Sequence, residues 1–139
     1  MVEQHGGGCL CGQVRYSFQG EPLIVAVCHC RHCQRQSGSA FSLVVAVPDG
    51  AVVQTGPTRT FLDRGTSGQP VHRVFCPQCG SPIVSRIEVM PGVTFIKAGT
   101  LDDPGRWTPS LEVFCAERWP WLPQLAAEQH ARSNLGDGE

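Results

Sequence analysis

Lysine is almost missing from this chain: Lys97 is the sole one among eleven Lys and Arg residues, and these are balanced by twelve Asp and Glu for a formal charge of −1. A phosphate backbone is held by several clustered cations, so nucleic acid is excluded as an expected partner. Long apolar runs are missing too. The longest, such as Leu43 to Val47, fall far short of the ~20 residues a membrane span needs. Residues Met1 to Gly8 have neither a basic n-region nor an apolar h-region, so the reading is of a soluble, cytoplasmic protein with no membrane partner. No repeat of solenoid or propeller period is present. With 41% hydrophobic and 17% charged residues, the chain has enough apolar material for a core, which disordered sequences lack. Its 139 residues suit a single domain, expected over 1–131, with a frayed tail over 132–139 that has little to bury.

Glycine and proline are plentiful, at 16 and 11, and they are spread along the chain, leaving little room for long helices. Between these breaks, Val14, Tyr16 and Phe18 alternate with polar neighbours at the period of a strand. Strands are also expected at Leu23–Val27, Phe41–Val47, Ala51–Gln54, Thr58–Leu62, Val71–Phe75, Ile83–Ile87, Val93–Ala98 and Leu111–Phe114. Turn sequences such as Pro48-Asp49-Gly50 and Pro91-Gly92 separate them. Helical spacing survives only in a turn or two between Cys30 and Gly38, and in Leu122 to Ala131. The fold class is mainly β.

Cysteine is the informative excess. There are eight, about 6% of the chain, below the ~8–10% of short secreted disulfide scaffolds, so metal binding is the leading reading. Seven of them form three tight groups: Cys9-x-Cys11, Cys28-x-Cys30-x-x-Cys33 and Cys76-Pro77-Gln78-Cys79-Gly80. Two thiolates on one tight turn can reach the ~2.3 Å Zn–S distance together. The last group is a zinc-knuckle sequence, in which Pro77 sets the turn and Gly80 lets the backbone fold back toward the sulfurs. A closed zinc site needs four ligands, and Cys9 with Cys11 supplies the second pair for Cys76 and Cys79. Closing the loop of about 64 residues between Cys11 and Cys76 costs roughly 3.7 kcal/mol, against ~10–16 kcal/mol from a structural zinc.

Cys28, Cys30 and Cys33 offer three thiolates. Catalytic zinc sites commonly have three protein ligands and leave the fourth position to water or substrate. Alternatively, Cys115, His29, His32 or His72 closes the group into a second staple. His29 and His32 beside the ligands are candidates for proton transfer or support of the ligands, or else point to solvent. Cys115, after Val113-Phe114, reads as a buried inert thiol. Trp107, Trp119 and Trp121 read as core, and Asp102-Asp103 before Pro104-Gly105 reads as a turn.

Together, Gly7-Gly8-Cys9-Leu10-Cys11-Gly12-Gln13-Val14-Arg15-Tyr16, Cys28-His29-Cys30-Arg31-His32-Cys33 with Ser37-Gly38, Phe75-Cys76-Pro77-Gln78-Cys79-Gly80-Ser81-Pro82, Gly99-Thr100-Leu101-Asp102-Asp103-Pro104 and Trp119-Pro120-Trp121 closely resemble the glutathione-dependent formaldehyde-activating enzymes, the centromere protein V type domain family. These blocks run in the family's order from about Gly7 to Leu122. The resemblance implies a mainly β fold of small coiled antiparallel sheets with a zinc-ribbon element, shared with type B methionine sulfoxide reductases and Rab-releasing chaperones. It implies two zinc ions. One is structural, on Cys9, Cys11, Cys76 and Cys79; the other is catalytic, on Cys28, Cys30 and Cys33. It also implies joining of glutathione to formaldehyde, classed in reverse as a carbon–sulfur lyase. One departure stands out: where the family usually has Pro-x-x-His, this chain has Pro109-Ser110-Leu111-Glu112.

The expected function is therefore zinc-dependent, carbon–sulfur lyase-like chemistry in which a zinc-held thiolate such as that of glutathione meets a small aldehyde. Three cysteine thiolates leave such a zinc complex at about −1, which suits holding a thiolate better than making hydroxide. Arg31, Arg35 and Lys97 are conceivable partners for the carboxylates of glutathione. The competing reading is a non-catalytic binding module stapled by zinc. Methionine sulfoxide reduction would need Cys115 as its redox thiol.

Overall fold

The computed structural model describes residues 2–66 and 68–133. Its strands are β1 (Gln4–Gly8), β2 (Arg15–Gln19), β3 (Ile24–Cys28), β4 (Ser42–Pro48), β5 (Val52–Thr55), β6 (Arg59–Arg64), β7 (Pro70–Phe75), β8 (Pro82–Ile87), β9 (Val93–Lys97), β10 (Leu111–Val113) and β11 (Glu128–Gln129), with the helix α1 (Arg31–Ser37) after β3. The protein is mainly β. A three-stranded sheet runs β1-β2-β5, and an eight-stranded sheet runs β11-β10-β3-β4-β9-β8-β7-β6. Most pairings are antiparallel, whereas β10 joins both β3 and β11 in parallel.

Alternation divides the large sheet into two faces. Val25, Val45, Val47, Val84 and Ile96 point to one side, where they meet Tyr16 and Phe18 of the small sheet, and Val14 just before β2, in the main core. The register Cys28 to Ser42, Ala26 to Val44 and Val44 to Lys97 puts Ile24, Ala26, Cys28, Val44, Phe95 and Lys97 on the other side. Trp107 closes the rim of the core, 5.7 Å from Phe18 between ring centroids. Trp121, read as core, is instead 71% exposed.

Two segments differ from the sequence-based expectation. β1 was not anticipated, because His5, Gly6, Gly7 and Gly8 carry little strand preference. It forms because the missing side chain of Gly7 leaves room for the Tyr16 hydroxyl and the Thr100 carbonyl. The helix expected over Leu122 to Ala131 is absent. Pro123 has no amide to give, and the amides of Leu125 and Ala126 donate to the Glu112 carboxylate at 2.6 and 2.9 Å rather than to carbonyls four residues back. The segment ends in the short strand β11. Of the tail expected over 132–139, residues 134–139 lie outside the described residues.

Candidate metal centres

The turn after β1 carries Cys9 and Cys11, and the turn between β7 and β8 carries Cys76 and Cys79. Their sulfurs all lie within 4.8 Å of one another. Cys9 and Cys11 Sγ are 3.6 Å apart, and Cys11 and Cys76 Sγ are 3.8 Å apart. Four sulfurs at ~2.3 Å from one tetrahedral ion stand about 3.8 Å apart, so the donor set fits zinc in both chemistry and size. Local hydrogen bonds hold it in shape. Val14 donates its amide to Cys9 Sγ at 3.2 Å, Gly80 donates its amide to the Cys76 carbonyl at 2.8 Å, and Leu10 donates to Ser81 Oγ at 3.1 Å. The Ser81 hydroxyl and amide, with the Cys11 amide, hold the Cys79 thiol down to about 5. An ion here would tie the small sheet to the far hairpin of the large one.

The second cluster is built by the entry into α1. Cys28 ends β3, and Cys30 is the N-cap, whose sulfur accepts the amide of Cys33 at 3.2 Å. An N-cap bonds the amide two or three residues on, so the x-x spacing between Cys30 and Cys33 follows from the helix start. Gly38, at φ 68°, ends the helix by donating to the Gln34 carbonyl, as a left-handed terminating glycine does. Gln34 is buried and donates to the carbonyls of His29 and Glu117 at 2.8 and 3.2 Å, locking the cysteine turn against the segment after β10. The three sulfurs lie within 4.8 Å of one another, and among the described residues no further His, Cys, Asp or Glu joins all three.

The residues considered as a fourth donor are engaged elsewhere. His29 Nε2 lies 2.7 Å from Glu112 Oε1, His32 Nδ1 lies 2.8 Å from Asp63 Oδ2, and His72 Nε2 lies 2.9 Å from Glu88 Oε2. Cys115 is half-buried rather than sealed in the core, and Arg118 donates to its sulfur at 3.3 Å.

Two cations face the three sulfurs. Lys97 is 6% exposed and donates to Ser42 Oγ at 2.9 Å. Arg73 donates from Nε to Asp63 Oδ2 at 2.9 Å. Burial pushes the Asp63 carboxyl up, but hydrogen bonds from His32, Arg73 and the Arg64 amide outweigh it and bring it to about 2. The Cys33 thiol is held well below its ordinary value, first by hydrogen bonds from Cys28 and Cys30, against the opposing effect of burial, and further by the charges of Lys97 and Arg73. Such a setting favours thiolate at Cys33, while hydrogen bonds with Cys30 and Cys33, together with burial, push the Cys28 thiol up. Lys97 was visible in the sequence as the lone lysine, but nothing there placed it at the cysteines. Arg73 and Ser42 were missed. Their signal is register, since they fall on the Cys28 face of the sheet only once the strands are paired.

Beyond the sulfurs opens a cavity of about 290 Å³. Cys28, Cys30, Cys33, Arg73 and Lys97 mark its polar end, and Ile24, Ala26, Val44, Phe95, Leu111 and Val113 line much of the rest.

The sequence profile of the glutathione-dependent formaldehyde-activating enzymes matches residues 4–117. The chain belongs to this family. Curated relatives provisionally named glutathione-dependent formaldehyde-activating enzymes, from Aspergillus flavus and Aspergillus oryzae, are each 28% identical over 113 residues, covering 76% of this chain and 58% of theirs. One from Emericella nidulans is 27% identical over 103 residues, covering 70% of this chain and 51% of that protein. The chain thus spans only about half to three-fifths of the length of these relatives. A crystal structure of a Rhodobacter sphaeroides protein shares the fold at a TM-score of 0.53 and 17% identity, over 70% of this chain and 87% of that one. Both cysteine clusters, with Glu112 where the formaldehyde-activating family was expected to show histidine, fall inside the matched span.

Proposed function

We propose that this chain catalyses addition of a thiol, glutathione or one like it, to a small aldehyde, with zinc held by Cys28, Cys30 and Cys33 and a second, structural zinc held by Cys9, Cys11, Cys76 and Cys79. The balance is simple. The S–H bond breaks, sulfur bonds to the carbonyl carbon, and the proton ends on the carbonyl oxygen to give a hemithioacetal. Run backwards, the reaction is that of a carbon–sulfur lyase. No oxidant or reductant is needed.

The observation that carries this reading is the convergence of three sulfurs, without a fourth such donor among the described residues, on a cavity whose polar end also holds Lys97 and Arg73. A zinc ion on these sulfurs would supply the positive charge that keeps an incoming thiol deprotonated near neutral pH. Lys97, oriented by Ser42, is the donor for the oxygen that gains charge as the carbonyl is attacked. Arg73, fixed by Asp63, adds to the positive field. The family's name and those of the curated relatives support the same chemistry.

The test is exchange NMR of ¹³C-formaldehyde with glutathione, which resolves enzyme-driven exchange from the spontaneous reaction. Exchange accelerated by the zinc-loaded protein and lost in Cys33→Ser is the expected result. Equal rates with and without protein would leave a non-catalytic zinc-stapled module instead.

A further inference from the structure

We propose that the aldehyde taken by this site carries an apolar chain or ring of roughly six to ten carbons, seated in the cavity beside Cys28, Cys30 and Cys33; the inference rests on the thiol-addition reading above. The cavity is about 290 Å³. At about 30 Å³ per water-sized group, it holds on the order of ten such groups, whereas formaldehyde has two heavy atoms.

The character of the walls points the same way. An antiparallel sheet face turned to solvent normally carries polar residues. The second face of the large sheet instead carries Ala26, Val44 and Leu111, all buried, with Ile24, Phe95 and Val113 packed against them. Glutathione brings two carboxylates and an ammonium, which need charged or hydrogen-bonding partners when buried. The cavity's two buried cations lie at the sulfur end and are engaged, Arg73 with Asp63 and Lys97 with Ser42. The peptide body of the thiol is therefore poorly matched to the apolar end, which suits the substituent of the other reactant. Phe114 on the wall holds a left-handed backbone at φ 55°. Such conformations are unfavourable for an aromatic residue, and they cluster at ligand clamps and active sites.

The chemistry is unchanged by the longer chain. Sulfur bonds to the carbonyl carbon, the C=O π bond opens, and the thiol proton passes to oxygen. The experiment measures kcat/KM of the zinc-loaded full chain with glutathione and formaldehyde, butanal, hexanal or octanal. Each buried methylene is expected to raise it about fourfold until the cavity is full. In parallel, calorimetry follows binding of 1-octanol and methanol, which cannot add a thiol and so report on the cavity alone.

Val44→Phe, which plugs the cavity, is expected to lower the octanal-to-formaldehyde ratio and the octanol affinity at least tenfold. Ala26→Leu, a smaller plug, serves where the first variant fails to fold. Octanol binding with no turnover of any aldehyde overturns the substrate assignment through the failure of thiol addition. Formaldehyde turnover that falls with chain length, with no octanol binding, overturns it through the cavity.

Discussion

His29 Nε2 and Glu112 Oε1 lie 2.7 Å apart, and neither side chain is reached by solvent. The other carboxylate oxygen of Glu112 accepts the amides of Leu125 and Ala126 and the Gln129 side chain, at 2.6, 2.9 and 2.6 Å. A neutral imidazole has one acceptor nitrogen and could not take this set. Glu112 thus binds the segment leading into β11 to β10 and anchors the residue between Cys28 and Cys30. Glu112→Ala, which leaves these buried donors unpaired, is expected to lower stability by roughly 3–5 kcal/mol, read from denaturant unfolding. A loss under 1 kcal/mol would refute the anchor.

Acid should act through the same carboxylate. Burial raises the Glu112 pKa, but the donors from Gln129, His29, Leu125 and Ala126 prevail and lower it from 4.5 to about 2. Because the folded value is the depressed one, the stabilisation is complete above about pH 4.5 and is lost as pH falls toward 2. The stability gap between wild type and Glu112→Gln should therefore shrink across that window. A gap independent of pH would count against the assignment.

The two cysteine clusters should separate in metal content. Purified under reducing conditions, the chain is expected to carry two zinc ions. Cys76→Ser, at a fully buried position, should lose one ion and much of the thermal stability, because its site joins the two sheets. Cys28→Ser should lose the other with a smaller drop in Tm. Elemental analysis beside thermal melts checks both, and equal Tm losses would contradict the division of roles.

Lys97→Met keeps the length of the buried side chain and removes its charge and donor. A donor aimed at developing negative charge is worth about 10²–10³ in rate. A fall of that order in kcat/KM for hemithioacetal formation is expected, with zinc content unchanged. Loss of less than threefold would remove Lys97 from the mechanism.

Gly56 has φ +96°, and a Cβ there would collide with the carbonyl oxygen of Gln13. Gly56→Ala combines an unfavourable backbone with a clash against main chain that cannot swing away. A loss of at least about 2 kcal/mol is expected in equilibrium unfolding.

Most strands were legible because alternation and Val-rich runs report directly on a sheet with a buried face, as in Val14–Phe18 and Phe41–Val47. The short helix between Cys30 and Gly38 was legible from its terminal glycine. Leu122 to Ala131 misled because apolar spacing at three and four residues also arises in an irregular segment, and the partner that claims its amides, Glu112, is distant in sequence. β1 was hidden because its stability comes from the close approach of Tyr16 to Gly7 and not from any preference of its own residues.

Spacing along the chain by itself determined the three cysteine groups, since ligands that share a tight turn must be near neighbours in sequence, and the motif blocks around them carried the resemblance to the family. Only the tertiary structure decided that Lys97, Arg73 and Ser42 face Cys28, that Glu112 seals His29, and that an apolar cavity opens beside the sulfurs. Those relationships depend on which strands pair and in what register, and a shift of one residue would turn each of these side chains to the opposite face.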